Sequence, residues 1–147
     1  MTESEFSGFL VASRQGYIAE RIASGDEPEQ AARVVSETSA ELFPGDKPNP
    51  DHLIFAIDED GRRVGSLWLG PPTDERPGEW FVWDIMIEPD CRGRGLGKAS
   101  MLLAEREVSA RGAMRLGLTV FGHNPVARHL YDTLGYSAVS TRMSKTV

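Results

Sequence analysis

The residues best equipped for chemistry fall in one short stretch, Arg92-Gly93-Arg94-Gly95-Leu96-Gly97-Lys98. Glycines remove the side chains that would block close approach, so several backbone N–H groups can converge on one ligand. A helix is expected to begin at Leu96, and its N-terminus adds the positive end of a dipole. Arg92, Arg94 and Lys98 supply further positive charge. Together these features suit a pyrophosphate. Two common phosphate-binding patterns fail on the residues. A P-loop needs glycine where Arg92 stands and a hydroxyl where Ala99 stands. The dinucleotide fingerprint, counted from Gly93 and Gly95, needs glycine where Lys98 stands. What survives is Arg-x-x-Gly-x-Gly, filled by Arg92, Gly95 and Gly97.

Asp84 is a second candidate, because it interrupts the apolar run from Trp80 to Ile87. A carboxylate there is costly unless it is paired or functional, and both readings stay open. Asn124-Pro125 is a strong helix start. Tyr131 follows seven residues later, about two turns on, so it shares a side of that helix with Asn124. It also fits the apolar stripe of Ala127, Leu130 and Leu134. Cys91 adjoins the glycine loop without an evident base and reads as a packing or surface cysteine. His123 reads as a loop histidine that could line a cleft. His52 and His129 have no partners at metal-ligand spacing, so no metal is expected. Trp68, Trp80 and Trp83 read as core or cleft wall. Asp74, Glu75 and Glu79 read as solvated surface that could also draw in a cationic amine.

These groups must be positioned by a chain of 147 residues, the length of one domain, expected to span 1–147. Sixteen Lys and Arg stand against twenty-two Asp and Glu, a net charge of -6, which argues against nucleic acid or an anionic membrane as partner. A single cysteine excludes an internal disulfide. No stretch is long and apolar enough to span a bilayer, and Met-Thr-Glu-Ser-Glu lacks the features of a signal peptide. The expected location is the cytoplasm.

The spacing of Phe6, Phe9, Leu10, Ser13, Tyr17, Ile18 and Ile22 predicts a helix over 4–24. A second helix follows, capped by Asp26, with Ala31, Val34, Val35, Thr38 and Leu42 as its buried stripe. Strands are expected over 53–58 and 63–69, joined at Asp60-Gly61 as a hairpin, and over 80–88, apolar on both sides. The helix over 96–111 carries Leu96, Ala99, Leu102, Leu103 and Ala110 on one side and Met101, Ala104 and Val108 on another, and is expected to be more buried than a surface helix. A strand over 114–121, the Pro125 helix and a last strand over 136–145 complete an α/β (α+β) chain with a mixed sheet.

Two stretches then resemble the GCN5-related N-acetyltransferase (GNAT) superfamily. One runs from Asp84 through Glu88-Pro89-Asp90-Cys91 to Gly97. The other is Asn124-Pro125-Val126-Ala127-Arg128-His129-Leu130-Tyr131-Asp132-Thr133-Leu134-Gly135-Tyr136. They occur in order, one helix and one strand apart, and the resemblance covers Trp80 to Lys145. The first half fits more loosely and shows no obvious first strand. The resemblance implies a GNAT fold with a mostly antiparallel sheet, flanking helices and splayed central strands. It implies that acetyl-CoA is bound and that acetyl is transferred directly to an amine, most simply on a small molecule. Arg92, Gly93, Arg94, Gly95, Leu96, Gly97 and Lys98 would hold the pyrophosphate. The backbone of Ile85, Met86 and Ile87, with Asn124, would hold the pantetheine arm. Tyr131 would protonate the departing sulfur, and the base would be Asp84 or ordered water. Other readings stay open: a catalytically silent CoA-binding sensor or assembly module, and a nucleotide-binding protein using the same loop. A homodimer, to which the last strand could contribute, is also expected from the resemblance.

Overall fold

The computed structural model describes residues 1–74 and 76–147; Glu75, noted above, lies outside the described residues. The elements are α1 (Glu3–Ala23), α2 (Pro28–Leu42), β1 (Leu53–Glu59), β2 (Arg62–Gly70), β3 (Glu79–Ile87), α3 (Leu96–Ala110), β4 (Arg115–Leu118) and α4 (Pro125–Thr133). The strands form one sheet in the order β1-β2-β3-β4. The first two pairings are antiparallel and β3 pairs with β4 in parallel. The mixed, mostly antiparallel sheet and its flanking helices match the expected fold class. Among the described residues no helix is long and apolar enough to cross a membrane.

Local chemistry explains most of these boundaries. The α1 start is a reciprocal box: the Glu5 N–H donates to the Thr2 hydroxyl at 3.3 Å, and the Thr2 N–H donates to the Glu5 carboxylate at 2.6 Å. The hairpin turns on Asp60 (φ 51°) and Gly61 (φ 79°), the left-handed pair that matches the twist of two antiparallel strands.

Opposite faces of the sheet carry separate apolar clusters. In β2, Trp68 joins Phe6, Phe9, Leu10 and Phe43 beneath α1 and α2. Its neighbours Leu67 and Leu69 join Val82, Met101, Ala104, Val108 and Tyr131 beneath α3 and α4. The strand's period of two thus feeds both layers. At the heart of the first layer the Trp68 indole N–H donates to Nδ1 of buried His52 at 2.8 Å. Burial lowers the His52 pKa, so the ring is a neutral acceptor. Gly70 lies against it, where an added Cβ would come within 2.2 Å of the ring. Trp68→Phe should orphan that acceptor and destabilise the fold by about 1–3 kcal/mol, read as a melting temperature lower by several degrees. The wild type should also lose stability as pH falls below 6.5, because the unfolded chain then binds a proton that folded His52 resists.

Five expectations are corrected. Asp26 does not cap α2: the cap position is Glu27, without a side-chain bond, and Asp26 pairs instead with Arg21 at 2.5 Å. The outer half of the α1 stripe is not core. Phe6, Phe9 and Leu10 are buried, but Tyr17 and Ile22 are exposed, because the helix runs past the edge of its cluster. On α3 the buried side is Ser100, Met101, Ala104 and Val108, while Leu102 and Leu103 face solvent. The sheet can cover only one of the two apolar sides of that helix. Strand β4 is only four residues long. The last strand is absent: residues after Gly135 form no regular element, and Val139 and Met143 are 90% and 88% exposed. A strand-forming pattern becomes a strand only against a partner edge, and this tail meets none within its own chain.

Candidate active site

Strands β3 and β4 are paired only from Glu79↔Arg115 to Val82↔Leu118. Beyond Val82 they part. Trp83 is the cause on the β3 side. Trp68 of β2 opposes Asp84 and Leu69 opposes Val82, which leaves Trp83 as the extra residue of a bulge. The rest of β3 has a hydrogen-bonded neighbour on one side only. Ile85, Met86 and Ile87 are half-buried rather than covered. The expectation of a central strand in a covered sheet holds only in part: β3 lies between β2 and β4, but Val82 alone is fully buried, and the uncovered portion is the wall of a cleft.

The cleft ends at the glycine loop. A short turn, Pro89–Cys91, leads into it and is anchored by fully buried Cys91. Burial pushes the Cys91 thiol pKa up, which suits packing and not nucleophilic chemistry. The Arg92 Nε–H donates to the Ile87 carbonyl at 2.8 Å, tying the loop to the end of β3 and engaging one backbone group on that wall. Arg94 pairs with Glu59 of β1 at 2.6 Å. Gly93 and Gly95 have φ of 73° and 79°, conformations that side chains disfavour. A Cβ at either would meet no protein atom within 4 Å, so the space they leave opens outward. Gly95 is the N-cap of α3 and supplies no capping side chain. The N–H groups of Leu96, Gly97 and Lys98 therefore begin the helix without acceptors from its own turns. An uncapped helix start behind two left-handed glycines fits an anionic group such as the pyrophosphate of CoA.

Asn124 stands at the start of α4, and its carboxamide oxygen accepts from the Ala127 N–H at 3.1 Å. That leaves its NH₂ as the group it could offer a ligand carbonyl. Tyr131 is 9% exposed and packs edge-on against Tyr136 at 5.9 Å. Burial, and then the negative charge of Asp84, raise its pKa. The phenol is therefore held in its proton-bearing form and lies within electrostatic reach of Asp84.

Asp84 sits at the bulge and lines a cavity of about 150 Å³ beneath α1, together with Phe9, Ser13, Ser66, Met86 and Glu88. Burial raises its pKa, partly offset by hydrogen bonds from the Ser13 side chain and the Ile85 N–H. A carboxyl with an elevated pKa in a small cavity is suited to accept a proton. Ser13 is a contributor the sequence reading placed only in the α1 stripe. His123, in the loop before α4 as expected, makes contacts that reach back to α1. Its Nε2 lies 2.6 Å from Glu20 and its Nδ1 3.4 Å from Ser24. Its ring stacks on Phe121, which in turn meets Tyr17. The loop before Asn124 is thereby fastened to α1. No local sequence signal joins residues so far apart. Trp83 stacks on Trp68 at 5.3 Å, as cleft wall over core.

The site combines a splayed central strand, an uncapped glycine-rich helix start and a buried tyrosine within electrostatic reach of Asp84. A family model described as Acetyltransferase (GNAT) family matches residues 8–136, and the chain belongs to that family. It is 33% identical to the uncharacterized N-acetyltransferase YdgE of Bacillus subtilis (strain 168), over 99% of this chain and 94% of that protein. The crystal structure of the acetyltransferase described as putative, YycN of Bacillus subtilis, matches with a TM-score of 0.89 at 27% identity, covering 100% of this chain and 95% of that one. The mycothiol acetyltransferase of Beutenbergia cavernae is 30% identical over 95% of this chain, which spans 43% of that longer protein. The fold, the family and the class of enzyme, an N-acetyltransferase, agree with the resemblance carried by the two motifs.

Proposed function

We propose that this enzyme transfers acetyl from acetyl-CoA to the amine of a small cationic molecule, within a ternary complex. Gly93, Gly95 and the N–H groups of Leu96, Gly97 and Lys98 hold the pyrophosphate, with Arg92 and Arg94 shaping the loop. The exposed backbone of Ile85, Met86 and Ile87, with the Asn124 NH₂, holds the amide-bearing arm. Acetyl-CoA supplies an activated thioester, whose C–S bond breaks as the amine forms the new C–N bond. Asp84, directly or through a water, takes the proton of the incoming amine. Tyr131 donates its proton to the departing sulfur. Holding both reactants in one cleft supplies much of the rate. The acceptor enters the cavity beneath α1, where Asp84, Glu5 and Glu88 outnumber Arg63, a balance that favours a cation. We place the reaction in the cytoplasm, where acetyl-CoA is supplied.

One observation carries this reading: β3 and β4 pair only as far as Val82↔Leu118, and the one-sided end of β3 leads through an Arg92-tied loop into an uncapped, glycine-formed helix start. Its test is thermal unfolding with acetyl-CoA, CoA or ATP. A ligand at a hundred times its Kd stabilises the native state by about 2.7 kcal/mol, or about 5–10 °C for a chain of this size. Acetyl-CoA and CoA should give that shift and ATP should not. Gly95→Glu should abolish it, since it puts a side chain at positive φ and a negative charge in the anion site. Stabilisation by ATP alone, or by none of the three, would remove the foundation of the reading. Binding of CoA without turnover of any amine is the result a silent sensor module predicts.

A further inference from the structure

We infer that Gly8 sets the girth of the acceptor: it keeps open the mouth of the cavity beneath α1, which then admits a primary amine whose body is no larger than about six non-hydrogen atoms. The inference rests on the reading that the acceptor enters this cavity, and it adds which residue limits what can enter. One side of α1 forms the roof, because Glu5, Gly8 and Ala12 recur at spacings of three and four and all line the cavity. Gly8 and Ala12 are exposed at the rim, whereas Phe9 is buried and Ser13 half-buried further in. Asp84 and Met86 of β3 line the same space from below.

Two glycines line this cavity, and the fold explains only one. Gly65 of β2 has a packing reason: a Cβ there would come within 2.1 Å of the Met86 carbonyl oxygen, a backbone atom that cannot swing aside. Gly8 has none. A Cβ there would meet no protein atom within 4 Å, and its φ is not positive. Glycine inside a helix weakens it relative to alanine. Gly8 therefore gives up helix stability without relieving any contact within the chain, and what it leaves is room at the mouth. Gly16, the other glycine of α1, has equally open surroundings but does not line the cavity, which makes it the natural control.

Volume and charge define the occupant. A cavity of about 150 Å³ matches one that takes up benzene in another protein, a body of about six non-hydrogen atoms. The cation on its wall is already matched, since Arg63 pairs with Asp58 at 2.7 Å and with Glu5 at 2.9 Å. Asp84 and Glu88 are left to meet an ammonium group, and Phe9 and Met86 offer apolar surface to the carbon body behind it. A side chain at position 8 would compete with that body for the mouth.

The test is acetylation of n-pentylamine, benzylamine and 1-adamantylmethylamine, in order of girth, followed by release of the CoA thiol. Thermal unfolding with acetyl-CoA runs beside it. The wild type should turn over the first two and reject the third. Gly8→Leu should lose about 10-fold or more in kcat/KM for benzylamine relative to n-pentylamine, with the KM and thermal shift for acetyl-CoA unchanged. Gly8→Ala should narrow the choice less and melt about 2–4 °C higher. Gly16→Leu adds the same bulk to the same helix away from the cavity and should keep the wild-type selectivity. A Gly8→Leu enzyme with wild-type selectivity, or a Gly16→Leu enzyme altered as much, would overturn the proposal. So would a wild type that acetylates none of the three, or the adamantyl amine as well, while keeping its acetyl-CoA shift. Absence of that shift in the wild type would overturn both the proposal and the cofactor reading beneath it.

Discussion

Asp84→Asn is expected to lower kcat/KM by about 10²–10⁴-fold and, at neutral pH, to raise the melting temperature. The two effects share one cause. Burial raises the Asp84 pKa above its ordinary 3.8, so the folded state holds this proton to higher pH than the unfolded chain. The associated stability is complete below pH 3.8 and is lost as pH rises through the folded value. Its ionisation as pH rises is therefore a standing cost to the fold, retained at the bulge opposite Trp68. Asparagine has the same shape and keeps an oxygen to accept from Ser13 and the Ile85 N–H, but carries no charge and cannot take a proton. Melting curves across pH should show variant and wild type converging in acid, where both side chains are neutral, and separating as pH rises. The acid limb of the wild-type kcat/KM profile should be missing in the variant. Activity within a few-fold of wild type would assign the proton to water and leave Asp84 an acceptor for Ser13.

What the sequence made legible was chemistry written in adjacent residues. The glycine loop could be read because positive φ and an uncapped helix start depend on local residue types. Asn124-Pro125 and Asp60-Gly61 marked a helix start and a hairpin for the same reason. The splay of the central strand was implied by the family resemblance that the two motifs carry, not by their spacing. The failures came where a distant partner decided the outcome. Asp26 is a competent cap by type, yet Arg21 holds its carboxylate. Two sides of α3 were apolar, and only the position of the sheet determines that Met101 is buried and Leu103 exposed. Glu20 and His123 lie 103 residues apart, and no periodicity links them. The tail had the pattern of a strand, but pattern specifies what a segment can pair with and not whether its own chain offers the edge. The candidate site follows the same division. Its phosphate end was readable, whereas the surroundings of Asp84, including Ser13 and the cavity beneath α1, exist only once α1 crosses the sheet.

Tyr131→Phe should reduce kcat by about 10²–10⁴-fold while leaving the acetyl-CoA thermal shift and the melting temperature close to those of wild type. The ring is 9% exposed and packed against Tyr136; phenylalanine preserves that packing and removes only the proton. The expected signature is a fall in kcat without a matching change in KM for acetyl-CoA. Because burial and the Asp84 charge hold the phenol above its ordinary value of 10.0, the alkaline limb of the wild-type profile should lie above that pH. Retained kcat in Tyr131→Phe would mean that Tyr131 belongs to the stripe of Ala127, Leu130 and Leu134 and nothing more. The pair offers a sharper check. Asp84 is a cause of the Tyr131 shift, so Asp84→Asn should move the alkaline limb to lower pH even though it leaves the phenol untouched. Proximity of the two groups also makes their effects non-additive: the double variant should lose less than the product of the single losses. Independent contributions, with an alkaline limb unmoved by Asp84→Asn, would place the carboxylate and the phenol in separate roles and not on two sides of one transferring acyl group.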